Sequence, residues 1–287
     1  MPARLAPEVP EAPRGEYVSL RQRADSLKSA INSRLITAKF YYDAVRARGN
    51  QVTCPCCGWS FNAFGAVGSR SNAFCPRCGS MERHRLRWHY LAREGLPRPG
   101  DWVLHIAPER ATYTWLRGRQ DITYVRGDIR KSPLTTHVFD LTDSPFDDDS
   151  FDLILVSHVL EHIPDDRRAM REICRMLKPS GIAVLQHPIA VDRQITYEDP
   201  SITSQADRER EFGQFDHVRA YGRDFADRLV GAGMDVQIPN LLESIPLEVA
   251  KRFGLLRADE VRFDGETVYI CTPSAKEGAA HNQACPG

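Results

Sequence analysis

The sequence predicts an α/β fold built on a mostly parallel sheet with helices on both faces. From Asp101 onward, short apolar segments alternate with segments of helical periodicity, and turn residues separate them. One stretch, FDLILVSHVLEHIPDDRRAMREICRMLKPSGIAVLQHP, predicts a strand, a helix and a second strand in that order. Its helix begins at Pro-Asp-Asp (164–166) and ends before Pro-Ser-Gly (179–181), as expected for the two ends of a helix.

The elements follow in chain order. Strands are predicted at 102–106, 122–126, 136–140, 151–157, 182–187, 233–238 and 266–272. Helices are predicted at 109–118, 164–177, 204–212, 221–232 and 246–252. The last two strands are expected to form an antiparallel pair at the sheet edge. Upstream, apolar residues between Glu16 and Arg48 recur at roughly helical spacing. This spacing predicts one or two helices. Packing of these helices on the protein body is favoured, and the alternative is a basic amphipathic helix that contacts a membrane or nucleic acid.

Composition is that of an ordinary globular protein: 42% of the 287 residues are hydrophobic and 26% are charged. No apolar run approaches the roughly 18–20 residues that cross a bilayer, so no membrane partner is expected. The first 15 residues carry prolines and charges without an apolar core. A signal peptide is therefore not expected. The expected location is the cytoplasm.

The net charge is zero, but its distribution is uneven. Residues 1–99 contain 16 Lys and Arg and 7 Asp and Glu, which gives a net charge of +9. The rest of the chain contains 22 Lys and Arg and 31 Asp and Glu, which gives −9. A basic front half fits an anionic partner such as RNA. It fits equally well a front half that docks on the acidic remainder, and the sequence favours neither interpretation.

Two C-x2-C pairs stand ahead of the α/β segment. They are Cys54 with Cys57 and Cys75 with Cys78, with 17 residues between the pairs. This spacing predicts a four-cysteine zinc ribbon with the thiolates at ~2.3 Å from the metal. Gly58 and Gly79 follow the pairs, as tight turns require. Two disulfides are the alternative, which a cytosolic chain disfavours. Cys56 is a spare thiol that competes with Cys54 as a ligand.

An arginine-rich segment, SMERHRLRWHYLARE, follows the second pair. Ser80 is expected to cap a helix that carries five basic residues, namely Arg83, His84, Arg85, Arg87 and Arg93. The sequence leaves two interpretations open: a helix that binds phosphate or nucleic acid, and a connecting helix with a solvated basic face. The chain is thus expected to comprise a disordered start (1–15), a helical segment (16–50), the zinc ribbon with its helix (51–98), the α/β domain (99–273) and a disordered tail (274–287).

The run from about Val103 to Pro188 resembles class I S-adenosylmethionine-dependent methyltransferases. The segments that carry the resemblance are DLTDSPFDDDSFDLILVSHVLEHI (140–163) and RMLKPSGIAVL (175–185). The match extends over roughly 90 residues, is specific as to family and says almost nothing about the substrate. It implies a Rossmann-like, seven-stranded sheet, S-adenosylmethionine as cofactor and a methyl acceptor as partner.

Carried over position by position, the resemblance implies cofactor contacts. Asp128 matches the acid that binds the ribose hydroxyls, at the expected ~20 residues past the first loop. Asp140 and Leu141 match the pair that meets the adenine. Ser157 and His158 match the loop that borders both the methionine end of the cofactor and the substrate.

The first loop departs from the family pattern. The family expects an acid and two glycines around 105–109, where this chain has His105, Ala107 and Glu109. Ala107 is small enough for close approach of the cofactor, and Glu109 is predicted to accept a hydrogen bond from its ammonium group. The loop is therefore interpreted as altered and still able to bind.

The acceptor side is less well defined. His217, Arg219 and Tyr221 lie in a segment, FGQFDHVRAYG, that is expected to form a substrate lid. Arg219 and Tyr221 are candidate substrate contacts, with Arg219 suited to a carboxylate or phosphate. His158, His187 and His217 are candidate bases. His158 and His187 are favoured because both lie at the ends of predicted strands that face the ligand crevice.

Three functions follow from these observations. The favoured one is an S-adenosylmethionine-dependent methyltransferase that acts on an oxygen or nitrogen atom of a small molecule and carries a structural or substrate-positioning zinc ribbon. The second is an RNA methyltransferase that holds RNA with its basic ribbon. The third is a non-catalytic, zinc-dependent binding protein, motivated by the missing glycines.

Overall fold

The computed structural model describes residues 38–68, 70–255 and 267–275. The predictions for residues 1–37 and for the tail beyond residue 275 lie outside these described residues. Helix α1 covers residues 38–46. Among the described residues, no helix is both long and apolar enough to cross a membrane.

A seven-stranded sheet forms the centre of the molecule. Its strands are β5 (Trp102–Ile106), β6 (Thr123–Asp128), β7 (His137–Val138), β8 (Phe151–Ser157), β9 (Leu177–Gln186), β12 (Met234–Gln237) and β13 (Val268–Pro273). They lie in the order β12-β13-β9-β8-β5-β6-β7. The five strands from β9 to β7 are parallel, whereas β13 pairs antiparallel with both β9 and β12. The predicted α/β fold and its antiparallel edge pair are confirmed.

Helices connect these strands. They are α2 (Glu82–Arg93), α3 (Arg110–Leu116), α4 (Asp166–Met176), α5 (Gln205–Phe212), α6 (Phe225–Val230) and α7 (Leu247–Arg252). Helix α4 shows why the sequence folds this way: Asp165 caps its first turn by accepting the Arg168 N–H at 2.9 Å. Its apolar residues Ala169, Met170 and Ile173 are completely buried on one face.

The sheet is buried on both sides. Strand β8 alternates between two apolar clusters: Ile154 and Val156 belong to one, and Leu153 and Leu155 to the other. A period of two with both faces apolar produces the continuous hydrophobic run that the sequence shows in FDLILV. The residues that carry polar chemistry are therefore confined to the strand ends and the loops beyond them.

Two small hairpins precede the sheet. They pair β1 (Arg48–Thr53) with β2 (Ser60–Phe61), and β3 (Gly65–Val67) with β4 (Arg70–Phe74). Two further short strands, β10 (Tyr197–Glu198) and β11 (Arg219–Ala220), pair beyond the carboxyl edge of the sheet.

Candidate functional site

The four predicted zinc ligands converge between the hairpins. One sulfur from each of Cys54, Cys57, Cys75 and Cys78 lies within 4.8 Å of the other three. The Sγ atoms of Cys54 and Cys78 are 3.6 Å apart, and those of Cys57 and Cys75 are 3.7 Å apart. Four sulfurs at ~2.3 Å from a tetrahedral zinc would be ~3.8 Å from one another, whereas a disulfide requires ~2.05 Å. The cluster fits a metal and not two disulfides.

Each cysteine pair lies in the same kind of turn. The Gly58 N–H donates to the Cys54 carbonyl at 2.8 Å, and the Gly79 N–H donates to the Cys75 carbonyl at 2.9 Å. Both glycines have φ of 74°, a conformation that side chains disfavour. Cys56 lies outside the cluster, with its sulfur 3.8 Å from the His84 carbonyl oxygen.

The arginine-rich helix is α2, and two of its arginines fit neither interpretation of its sequence. Its N-cap is Met81, so the prediction that Ser80 caps it is wrong: the Ser80 hydroxyl instead lies 3.1 Å from the Cys54 sulfur. Arg85 and Arg87 are almost fully buried. These two side chains are therefore part of the interior and form neither a solvated face nor an exposed anion-binding face.

Arg85 connects the ribbon to the far end of the chain. Its guanidinium donates to the carbonyls of Ala73 and Ser80 at 2.9 and 2.8 Å, and to those of Phe253 and Gly254 at 2.5 and 2.9 Å. Four carbonyl acceptors satisfy the buried cation. The ribbon and helix α7 are thereby held on either side of α2.

A cavity of about 710 Å³ opens at the carboxyl ends of β5, β6 and β8. This volume falls within the roughly 300–1,000 Å³ of ligand pockets. It adjoins the junction of β5 and β8, where the strand order reverses direction, and open α/β sheets bind ligands at that point. It is lined by Ile106, Ala107, Gly127, Asp128, Ile129, Arg130, Lys131, Ser132, Phe139, Asp140, Leu141, His158, Val159, His162, Ile163 and Asp216.

Five of the eight candidate cofactor residues line this cavity: Ala107, Asp128, Asp140, Leu141 and His158. The other three, His105, Glu109 and Ser157, do not. Among the candidate bases, only His158 lines the cavity, since His187 is completely buried and His217 lies behind the lining. The assigned roles of all these residues stay predictions.

The backbone at the two central strand ends is unusual. Ala107 has φ of 48° and His158 has φ of 54°, a region that residues other than glycine seldom occupy. Ladder-like hydrogen bonds hold both: Ala107 N–H donates to Gly127 at 2.8 Å, and His158 N–H donates to Gln186 at 3.0 Å. Backbone strain of this kind collects at functional sites.

Glu109 is occupied within the protein. One carboxylate oxygen pairs with Arg87 and lies 3.0 Å from the Thr112 hydroxyl, and the other contacts His105 Nε2. His105 Nδ1 in turn contacts the Tyr124 hydroxyl at 2.8 Å. The ammonium contact predicted for Glu109 therefore has no support in this geometry.

A buried carboxylate lies behind His158. Glu161 Oε2 contacts His187 Nδ1 at 2.8 Å, and Oε1 lies 3.3 Å from His158 Nδ1. Burial opposes ionisation of Glu161, but His187 and His158 outweigh it and hold the pKa of this carboxyl well below its usual range. A permanent negative charge thus stands next to the one candidate base that faces the cavity.

The two candidate substrate contacts are internal. Arg219 is 3% exposed, pairs with Glu198 at 2.9 Å and donates to three carbonyls of residues 160–164. The Tyr221 hydroxyl donates to buried Asp166 at 2.7 Å. Arg219 holds its segment onto the turn after β8 and Tyr221 holds it onto the start of α4, and the structure does not bring either side chain to the cavity.

Comparison with known proteins agrees with this architecture. Residues 103–185 match the sequence profile of a family described as a methyltransferase domain, and the strand order with an antiparallel edge pair completes the pattern. The matched profile and the strand order fit a Rossmann-like class I methyltransferase fold.

Curated relatives match only part of this chain, and only part of their own length is matched. The chain is 34% identical over 95 residues to methyltransferase GfsG of Streptomyces halstedii, which is 30% of this chain and 32% of that protein. It is 32% identical over 103 residues to a demethylmenaquinone methyltransferase of Corynebacterium efficiens, covering 33% and 45% of the two chains. The chain therefore spans less than half the length of these curated relatives.

Solved structures include a 1,6-didemethyltoxoflavin N1-methyltransferase of Burkholderia thailandensis, described with its substrate and S-adenosylhomocysteine. It is 14% identical and covers 68% of this chain and 79% of that one, with a TM-score of 0.44.

Several residues that line the cavity were not predicted from the sequence. Arg130 and Lys131 follow Asp128 directly and place positive charge at the cavity wall. His162 lies within the motif that carried the resemblance and was not singled out. Asp216 comes from the predicted lid segment, and only the tertiary fold brings it next to His162.

Proposed function

We propose that this protein is an S-adenosylmethionine-dependent methyltransferase that acts on an oxygen or nitrogen atom of a small molecule. The observation that carries the proposal is the cavity at the reversal point of the sheet, with Asp128 at the end of β6 and Asp140 just after β7 on its wall. Carboxylates at these strand ends suit the hydroxyls of a ribose and the amino group of an adenine.

The cofactor supplies an activated methyl group on a sulfonium, so the protein has chiefly to align the acceptor with it. Ala107 lets the backbone approach closely. His158 faces the cavity and accepts the proton of a hydroxyl acceptor, and the imidazolium that forms is stabilised by the Glu161 charge 3.3 Å away.

The four clustered cysteines would hold a structural zinc ion, since their spacing leaves no open ligand position. The alternative of RNA methylation is not favoured, because two arginines that motivated it are buried within the protein. Small-molecule acceptors and a cytoplasmic location stay proposals.

The test is calorimetric titration of S-adenosylmethionine and S-adenosylhomocysteine into zinc-loaded full-length protein. Asp128→Ala removes a cavity carboxylate, and Asp121→Ala makes the same change at a surface position paired with Arg119. We expect micromolar binding that weakens at least tenfold in Asp128→Ala and is unchanged in Asp121→Ala. Absence of binding by either ligand would contradict the proposal and favour a non-catalytic binding protein.

A further inference from the structure

Two histidines and a glutamate converge beside the cavity. One ligating atom each from Glu161, His162 and His217 lies within 4.8 Å of the other two. The two imidazole rings meet edge to face, with centroids 4.8 Å apart. Glu161 and His162 belong to a 3₁₀ turn (Leu160–His162) after β8, whereas His217 comes from the lid segment more than 50 residues later.

The hydrogen bonds of the two imidazoles leave the same nitrogen available in each. His162 Nδ1 lies 3.3 Å from the Asp216 carbonyl oxygen, and His217 Nδ1 lies 3.2 Å from the Phe212 carbonyl oxygen. A carbonyl oxygen only accepts, so each Nδ1 carries the hydrogen and each Nε2 keeps its lone pair. Metal-binding histidines are oriented by such carbonyl contacts.

Glu161 supplies an independent indication. Its side chain is 1% exposed, and its Oε1 has one long contact, 3.3 Å from His158 Nδ1. A buried carboxylate oxygen with a single long contact is incompletely satisfied, and a cation at that oxygen would complete its coordination. Since Oε2 is already bound to His187, Oε1 is the oxygen left for a ligand.

The lid segment is fixed firmly enough to keep this arrangement. The Val218 N–H donates to the Glu161 carbonyl at 2.9 Å, and Arg219 donates to the carbonyls of Leu160 and Ile163 at 2.9 and 2.5 Å. These bonds join the two segments on either side of the three ligands. The cluster is therefore built into the fold and does not depend on exposed side chains.

We propose that Glu161, His162 and His217 bind a divalent first-row transition-metal ion. Two imidazoles and one carboxylate are the donor set of metal sites that keep open positions for a further ligand. The site is separate from the cysteine cluster, which has four sulfurs and no such opening.

The position of the site indicates what the open positions bind. His162 and Asp216 both line the cavity, so the ion would lie at its wall. Resting on the proposed methyltransferase function, we infer a methyl acceptor with two neighbouring oxygen atoms, which chelate the ion. A metal lowers the pKa of a coordinated hydroxyl, which would make such an acceptor a better nucleophile.

The experiment is equilibrium dialysis against cobalt(II) of full-length protein that carries one zinc ion per chain, the amount the cysteine cluster holds, with zinc and cobalt counted per chain in the same sample. The variants are His162→Ala and His217→Ala, and His137→Ala makes the same change at a histidine outside the cluster and the cavity lining. S-adenosylhomocysteine binding is measured in parallel.

We expect about one cobalt per chain in the wild type and in His137→Ala, a loss of at least tenfold in cobalt affinity in the two cluster variants, and unchanged zinc. A wild-type protein that retains zinc and binds no cobalt overturns the inference, as do cluster variants that bind cobalt like the wild type. Cobalt binding without cofactor binding would support the metal site and contradict the methyltransferase proposal, so the two failures are distinguishable.

Discussion

At the scale of single residues, Ala107 occupies a position of the first loop where the family pattern expects glycine. An alanine in the left-handed region costs roughly 1 kcal/mol relative to glycine, a cost the fold tolerates here. Ala107 itself adopts the positive φ of 48° that a glycine would adopt. Alanine in place of glycine therefore adds strain to the loop without changing the path of its backbone.

We therefore expect Ala107→Gly to bind S-adenosylhomocysteine at least as well as the wild type. Ala107→Val, with a β-branched side chain at positive φ, should lose at least tenfold in affinity. Calorimetric titration of the two variants measures this. Equal affinities for Gly and Val at this position would show that the loop conformation does not matter for binding.

At the scale of an element, the first turn of helix α2 contains His84, a histidine that accepts a hydrogen bond in its neutral form. His84 Nδ1 accepts the Met81 N–H at 2.8 Å, and this bond requires an unprotonated nitrogen. Burial first, and the nearby arginines next, hold the pKa of His84 well below its usual range. In the unfolded chain His84 thus binds a proton with a pKa near 6.5, whereas in the folded chain it stays unprotonated at that pH.

Unfolding free energy should consequently fall as pH drops below ~6.5, with up to ~1.4 kcal/mol per pH unit from this group. His84→Gln keeps an acceptor for the Met81 N–H and has no proton to bind. We expect denaturant unfolding of wild type and His84→Gln to converge at pH 8 and to diverge at pH 5.5, with the variant the more stable. Parallel pH profiles of the two proteins would argue against the neutral cap.

At the scale of the whole molecule, the sequence predicted the sheet well and the interior charges badly. Strands 102–106 and 151–157 have the predicted bounds, because a buried parallel strand is a continuous apolar run. Strand β9 begins at Leu177 instead of 182, since an irregularity in its pairing with β8 lets the Lys-Pro-Ser-Gly stretch continue the strand.

The buried arginines followed no local rule. Arg85 meets its acceptors at Phe253 and Gly254 about 170 positions later in the chain. Charge-based interpretation treated this side chain as surface, because nothing within its own helix indicates the carbonyls that enclose it. For the same reason the sequence pointed to His217 and His158 one at a time and missed their common neighbour Glu161.

The whole fold should also depend on the cysteine cluster. Cys75→Ser removes one of four clustered sulfurs, and zinc binding is folding free energy in such modules. We expect this variant to lose zinc and to unfold at lower denaturant concentration than the wild type. Cys56→Ser, the same change at the thiol outside the cluster, should leave both zinc content and the unfolding midpoint unchanged. A Cys75→Ser protein that is zinc-free and fully stable would contradict the prediction.

The contacts of helix α2 have one more consequence. Leu86, Tyr90 and Leu91 belong to the same apolar cluster as Leu153 and Leu155 of β8, so the helix after the cysteines also covers one face of the central sheet. The two parts of the molecule therefore cannot be inherited or exchanged independently. A gene fragment that encoded the sheet without this helix would express a domain with an uncovered apolar face, and recombination between relatives should preserve the junction intact.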